Sequence, residues 1–249
     1  MLRQDKDLTR MANGYLGQQI EYSIPMSIYP AQSGVIIINA PGAGESKSGR
    51  KNRYETLGQY IQEKQIAAFI THNPPKPDAE GKFAGEPYSY QDTSWNLLVI
   101  ESLANVIEYA LEHAEEICGT STPVLYLSGF SAGASACGAV AFHYPQVKSI
   151  LLLSAYDSVG EYFYSGIRQF TGDIYAVYGS DDLIAKMVAS MLEFSATSAN
   201  FHLTEIPDCD HGFHGSKNSR IFSKAFFWAF DQEKTFPSPD NGLLLYEED

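Results

Sequence analysis

A serine framed by two glycines, Gly129-Phe130-Ser131-Ala132-Gly133, directly follows the apolar run Val124-Leu125-Tyr126-Leu127. A strand that runs into Gly-x-Ser-x-Gly and turns at once into a helix forms a nucleophile elbow. The serine then stands at the tip of a tight, strained turn, and a Cβ at either glycine would collide with the neighbouring strand or helix. The helix is supplied by the small residues Ala134-Ser135-Ala136-Cys137-Gly138-Ala139. Such a turn lifts the hydroxyl clear of the sheet, where a histidine can reach it from one side and a substrate carbonyl from the other. The plainer alternative is a glycine-rich turn around a buried structural serine.

A serine hydroxyl is a poor nucleophile until a base takes its proton, and a third group must hold that base. Downstream, the run from Ile174 to Tyr178 leads into Gly179-Ser180-Asp181-Asp182, and the run from Phe201 to Ile206 leads into Pro207-Asp208-Cys209-Asp210-His211-Gly212. Each puts polar groups just past a strand's carboxyl end, where open α/β sheets build their sites. Asp181 and Asp182 both qualify as the acid, and His214 lies three residues beyond His211.

The elements that must position these groups alternate between apolar strands and amphipathic helices, the pattern of a mainly parallel sheet covered on both faces. Strands are expected from Gly17 to Ile24, Val35 to Ile38, Ala67 to Thr71 and Val147 to Leu153, besides the three already named. Helices are expected from Tyr54 to Lys64, Thr93 to Glu116, Ala185 to Phe194 and Arg220 to Phe230, the second with a broad apolar stripe from Leu97 to Leu111. The aromatic closing helix could face the core or a partner chain. The reading is a single domain over residues 1–235, with 236–249 as an acidic C-terminal tail of loose surface chain.

Apolar residues make up 44% of the 249-residue chain and charged residues 19%, the composition of an ordinary globular protein with a sizeable core. A net charge of −13 argues against nucleic acid and anionic membrane surfaces as partners, which would repel it. Three cysteines are too few, and odd in number, for a disulfide framework. With an acid-bearing N-terminus and no apolar leader behind it, the expectation is a cytoplasmic protein. No His/Cys cluster has metal-ligand spacing, and neither a metal nor a cofactor is expected.

The order Ser131, an acid, then His211, on alternating strands and helices, resembles the α/β-hydrolase superfamily. Within it the chain is similar to compact serine esterases with the dienelactone-hydrolase-like layout, over residues 14 to 233. The resemblance implies an α/β-hydrolase fold, a mainly parallel twisted sheet flanked by helices with no large cap domain. It favours Asp182, three residues past the strand-ending glycine, as the acid, and His211, within Asp210-His211-Gly212, as the base. Dienelactone hydrolases carry cysteine at the elbow; Ser131 stands there instead, so their chemistry is not implied.

An oxyanion hole needs two backbone N–H groups aimed at the developing alkoxide. One is expected from Ala132. The other is expected from the loop Asn39-Ala40-Pro41-Gly42-Ala43-Gly44-Glu45-Ser46, where alignment of the family's His-Gly-x-Gly on Gly42 and Gly44 makes Ala43 the donor. Pro41 replaces the common histidine, at a position that is not the donor. The same loop lacks the spacing of a phosphate-binding loop.

Between the strand after the elbow and the strand before the acid, Ser154 to Gly172 is too short for a multi-helix lid but carries Tyr156, Tyr162, Phe163, Tyr164 and Phe170. It reads as a short flap or helix over the site, with Tyr156, Phe163 and Phe130 as substrate contacts; the alternative is that these rings simply pack the segment onto the domain. The long loop His72 to Tyr90, with Phe83, Tyr88 and Tyr90, is a second candidate for the substrate wall. A small-molecule ester with a short acyl group is the expected substrate. A thioesterase or acyltransferase would use the same triad, and a non-catalytic binding protein could keep the fold; the oligomeric state is left open.

Overall fold

The computed structural model describes residues 2–13, 19–74, 95–196 and 200–246. Phe83, Tyr88 and Tyr90 lie outside the described residues, as do 17–18 of the expected first strand and 93–94 of the expected long helix. Among the described residues, eight strands form one sheet: β1 (Gln4–Asn13), β2 (Gln19–Tyr29), β3 (Val35–Ala40), β4 (Ala68–His72), β5 (Val124–Phe130), β6 (Val147–Leu153), β7 (Asp173–Gly179) and β8 (Phe201–Ile206). Their spatial order is β1-β2-β4-β3-β5-β6-β7-β8. β1 pairs with β2 and β2 with β4 antiparallel, and every other pairing is parallel. The central strands are short, β-branched and apolar because both of their faces are covered.

Among the described residues, seven α-helices cover the sheet: α1 (Arg53–Glu63), α2 (Trp95–Glu112), α3 (Ala114–Cys118), α4 (Ala132–Val140), α5 (Glu161–Gln169), α6 (Leu183–Ser195) and α7 (Ser216–Phe230). Strand alternation divides the core into two layers. Ile36, Ile38, Leu125, Leu127, Ile150 and Leu152 face the layer that includes α2, α4 and α5, whereas Ile37, Leu151 and Leu153 face α1 and α7. The closing helix α7 turns its apolar side to the sheet, with Ile221, Phe222 and Phe226 at 2% exposure or less.

The structure adds one strand and corrects three expectations. The added strand is β1, which pairs along the whole of Gln4–Asn13 with β2, while β2 itself runs on to Tyr29. As a mostly polar edge strand, β1 leaves little apolar signal in the sequence. The single long helix over 93–116 breaks at His113 into α2 and α3. The C-terminal segment is anchored: Leu245 and Tyr246 are buried in the α1/α7 layer, and the Tyr246 hydroxyl donates to the Phe213 carbonyl at 2.9 Å. Buried Lys224 and half-buried Arg220 of α7 hold it by donating to the carbonyls of Asp240 (3.0 Å) and Gly242 (2.5 Å).

The third correction concerns the segment after β6. It forms α5, which packs along α4 so closely that a Cβ at Gly166 would strike the Ala139 backbone and one at Gly138 would strike the Phe163 ring. Phe163 is fully buried in the core, so it is not a substrate contact. Its ring fills the space that the missing side chain of Gly138 leaves. Tyr164 and Phe170 are buried beside it, while Tyr156 and Tyr162 remain exposed.

Candidate active site

Every group singled out for chemistry lies just past the carboxyl end of a parallel strand: Ala43 after β3, Ser131 after β5, Asp182 after β7 and His211 after β8. Ser131 has φ 54° and ψ −118°, a conformation that L-residues rarely adopt and that the surrounding backbone must enforce. Its N–H donates to the Leu153 carbonyl at 2.9 Å, and its carbonyl accepts from the Tyr156 N–H at 3.3 Å. The two elbow glycines allow the closeness this requires. A Cβ at Gly129 would run into the Gly133 carbonyl, and one at Gly133 into the carbonyl of Ala40.

The acid and base loops are stitched to each other by hydrogen bonds. The Asp181 N–H donates to the Cys209 carbonyl at 3.0 Å, and the Asp208 N–H to the Ser180 hydroxyl at 3.0 Å. Asp182 is 5% exposed and uses its two carboxylate oxygens differently. Oδ1 accepts from the Ala185 N–H at 3.1 Å and caps α6; Oδ2 lies 2.6 Å from His211 Nδ1. The other ring nitrogen, His211 Nε2, lies 3.0 Å from Ser131 Oγ. Asp181 points to solvent, its Oδ1 accepting from the Ser180 hydroxyl at 3.2 Å. His214 makes a separate pair with Asp210. Ser131, Asp182 and His211 are therefore brought together, and Asp181 and His214 are not.

With His211 Nδ1 facing a carboxylate, the imidazole proton sits on Nδ1 and Nε2 is left as an acceptor for the serine proton. The N–H of Ala132 belongs to the first turn of α4, where no helical carbonyl can accept from it. The loop that carries Ala43 is closed by a turn, the Glu45 N–H donating to the Gly42 carbonyl at 3.1 Å. It is held from below by a buried chain of side chains. Ser128 Oγ donates to Asn39 Oδ1 (3.1 Å), Asn39 Nδ2 to Thr71 Oγ1 (3.2 Å), and Thr71 Oγ1 to the Lys47 carbonyl (3.0 Å).

Phe130, expected as a substrate contact, is largely covered. It is 7% exposed, and its ring lies 5.2 Å from that of His211, so it backs the histidine instead of lining free space. Tyr156, 43% exposed and bonded through its N–H to the Ser131 carbonyl, remains available beside that serine. Sequence reasoning passed over buried Arg53 and half-buried Glu45, which form an ion pair with Nη2 to Oε1 at 3.0 Å behind this site. Nothing local marks them: an arginine at a helix start usually reads as solvated.

No family model matches the sequence, and no curated protein matches it either. Solved structures do match in three dimensions. A dienelactone hydrolase from Anabaena variabilis ATCC 29413 superposes with a TM-score of 0.67 at 14% identity, covering 92% of this chain and 99% of its own. A cold-adapted esterase from an Arctic intertidal metagenomic library gives 0.61 at 14% identity, over 92% and 94% of the two chains. XC6422 from Xanthomonas campestris, described as an a/b serine hydrolase without lid, gives 0.53 at 18% identity, over 84% and 87%. At these identities the likeness is one of architecture, and the chain has the α/β-hydrolase fold, without a large cap among its described residues.

Proposed function

We propose that the protein is a serine hydrolase that cleaves carboxylic esters of short acyl chains through an acyl-enzyme on Ser131. The observation that carries this reading is the unbroken relay from Asp182 Oδ2 through His211 to Ser131 Oγ, at 2.6 and 3.0 Å, with the serine on a strained elbow. His211 Nε2 takes the hydroxyl proton as Oγ bonds to the ester carbonyl carbon, and the carbonyl electron pair moves onto oxygen. The N–H groups of Ala43 and Ala132 meet that oxyanion, each such donor contributing about 10²–10³ in rate. The tetrahedral intermediate collapses, the alcohol leaving with the proton from His211, and the Asp182 carboxylate stabilises the imidazolium in between. Water, deprotonated by His211, then releases the acid and restores Ser131.

The small-ester reading is supported by α5 packing closely along α4 and by the exposed ring of Tyr156, whose backbone N–H is bonded at the elbow. The structural neighbours named as an esterase and as a serine hydrolase agree with this class. The test is labelling of wild type and Ser131→Ala with a fluorophosphonate probe, beside turnover of acetyl, butyryl and octanoyl p-nitrophenyl esters. Labelling and turnover should vanish together in the variant, with acetyl or butyryl preferred. An unlabelled wild type overturns the nucleophile, and a clear octanoyl preference overturns the chain length.

A further inference from the structure

Arg53, at the first position of α1, is 1% exposed, an unusual place for a guanidinium. Its central carbon lies 4.4 Å from the ring centroids of both Phe130 and Phe222, two rings that meet edge to face at 6.3 Å. Nη2 lies 3.0 Å from Glu45 Oε1, 3.1 Å from Glu45 Oε2 and 3.1 Å from the Tyr54 hydroxyl. Nη1 reaches in another direction and donates to the Gly212 carbonyl at 3.4 Å. Glu45 in turn closes its own loop, Oε2 accepting from the Gly42 N–H (3.3 Å) and the Tyr54 hydroxyl (2.9 Å), and Oε1 from the Arg50 N–H (3.4 Å).

Three loops of the site thus meet on one planar cation. Glu45 ends the turn that contains Ala43. Gly212 follows His211 directly. Phe130 precedes Ser131 and backs the His211 ring at 5.2 Å. An ion pair with a buried guanidinium and a half-buried carboxylate is a poor source of stability, because the cost of desolvating the charges offsets their attraction. Alignment is what this pair adds: the guanidinium fork fixes two directions at once, which neither an apolar side chain nor a lysine can do.

We propose that Arg53, with Glu45, is a positioning residue that sets the oxyanion loop and the histidine loop in register around Ser131, an inference that rests on the esterase reading above. The elements it links are otherwise distant in sequence, and a shift of about 1 Å between catalytic groups costs about 10²-fold in rate. The effect belongs in kcat, because the oxyanion and the imidazolium exist only after the ester has bound.

The experiment measures kcat, KM and thermal melting for wild type, Arg53→Lys, the double variant Glu45→Gln/Arg53→Met, and Ser131→Ala, with p-nitrophenyl acetate. The double variant removes both charges together, so neither is left buried alone. Arg53→Lys keeps the charge opposite Glu45 but not the fork, and covers the case in which the double variant fails to fold. The expected result is a fall in kcat of about 10- to 100-fold with KM within about threefold of wild type, in a protein whose melting is cooperative. A purely structural role predicts the opposite, that a folded variant recovers its rate. A folded Arg53→Lys or double variant with kcat within about threefold of wild type, or a loss confined to KM, overturns the positioning role while Ser131→Ala stays inactive. Full turnover in Ser131→Ala would instead overturn the esterase reading, and the positioning role with it.

Discussion

Replacing Asp182 by asparagine tests the relay where the structure makes the most exacting demand. The carboxylate serves two donors at once: Oδ1 takes the Ala185 N–H at 3.1 Å, and Oδ2 faces His211 Nδ1 at 2.6 Å. An amide has only one acceptor oxygen. If the amide oxygen stays on the Ala185 N–H, its NH₂ faces Nδ1, the imidazole proton moves to Nε2, and the base points a hydrogen at Ser131. If the amide flips, the tautomer is kept but two N–H groups meet at the buried helix start, leaving an unpaired donor that costs about 1–3 kcal/mol. The competent arrangement is therefore the minor one by about 10- to 100-fold. Losing the carboxylate's charge opposite the imidazolium removes about 1.5–3 kcal/mol more, another factor of about 10–100. Together kcat/KM should fall about 10²- to 10⁴-fold. Stability should change little, since asparagine caps a helix as well as aspartate. Steady-state hydrolysis of p-nitrophenyl acetate from pH 6 to 9, with urea unfolding alongside, reads both quantities, and Asp181→Asn should match wild type in each. Less than a tenfold loss in Asp182→Asn, or an equal loss in Asp181→Asn, would refute the argument.

Phe163→Ala should lower stability by about 3–5 kcal/mol, because the ring is fully buried between α4 and α5, while KM for short esters stays unchanged; a raised KM with normal unfolding would return the ring to the substrate site. Burial pushes the His72 imidazole down to about 4, against an opposing hydrogen bond to the Asn39 backbone. The unfolded chain, titrating near 6.5, binds that proton first, so stability drops as pH falls from 6.5 toward 4, by up to about 3 kcal/mol. Urea unfolding at pH 7 and 4.5 should show this loss in wild type and a smaller one in His72→Gln; equal losses would refute the assignment.

The parts of this protein that depend on neighbours in sequence were legible without coordinates. The alternation of β-branched runs with apolar-striped helices sets a covered parallel sheet, because each pattern buries its apolar face in only one kind of element. The β8 run from Phe201 to Ile206 and the β6 run from Val147 to Leu153 match the structure residue for residue. Gly129 and Gly133 mark the elbow because their missing side chains admit the crossing backbones. Chain order placed Asp181, Asp182 and His211 as polar residues just past strand ends, and only the resemblance to the α/β-hydrolase superfamily favoured Asp182 over Asp181.

Contacts between segments far apart in sequence were decided only by the tertiary structure. Phe163 carries the same aromatic signal as Tyr156, yet one ring fills the gap above Gly138 and the other stands open, because side-chain fate depends on which helix packs opposite. The edge strand β1 and the anchored Leu245 and Tyr246 left no periodic trace, since pairing and burial there are completed by β2 and α7. The Arg53–Glu45 pair is the strongest case. Its partners span 159 residues to Gly212, and a guanidinium is held in an apolar core only because the fold delivers a carboxylate, a tyrosine and a carbonyl to it at once. Local sequence chose which residues can do the chemistry, and long-range packing set their distances, because hydrogen-bond geometry depends on where whole elements come to rest.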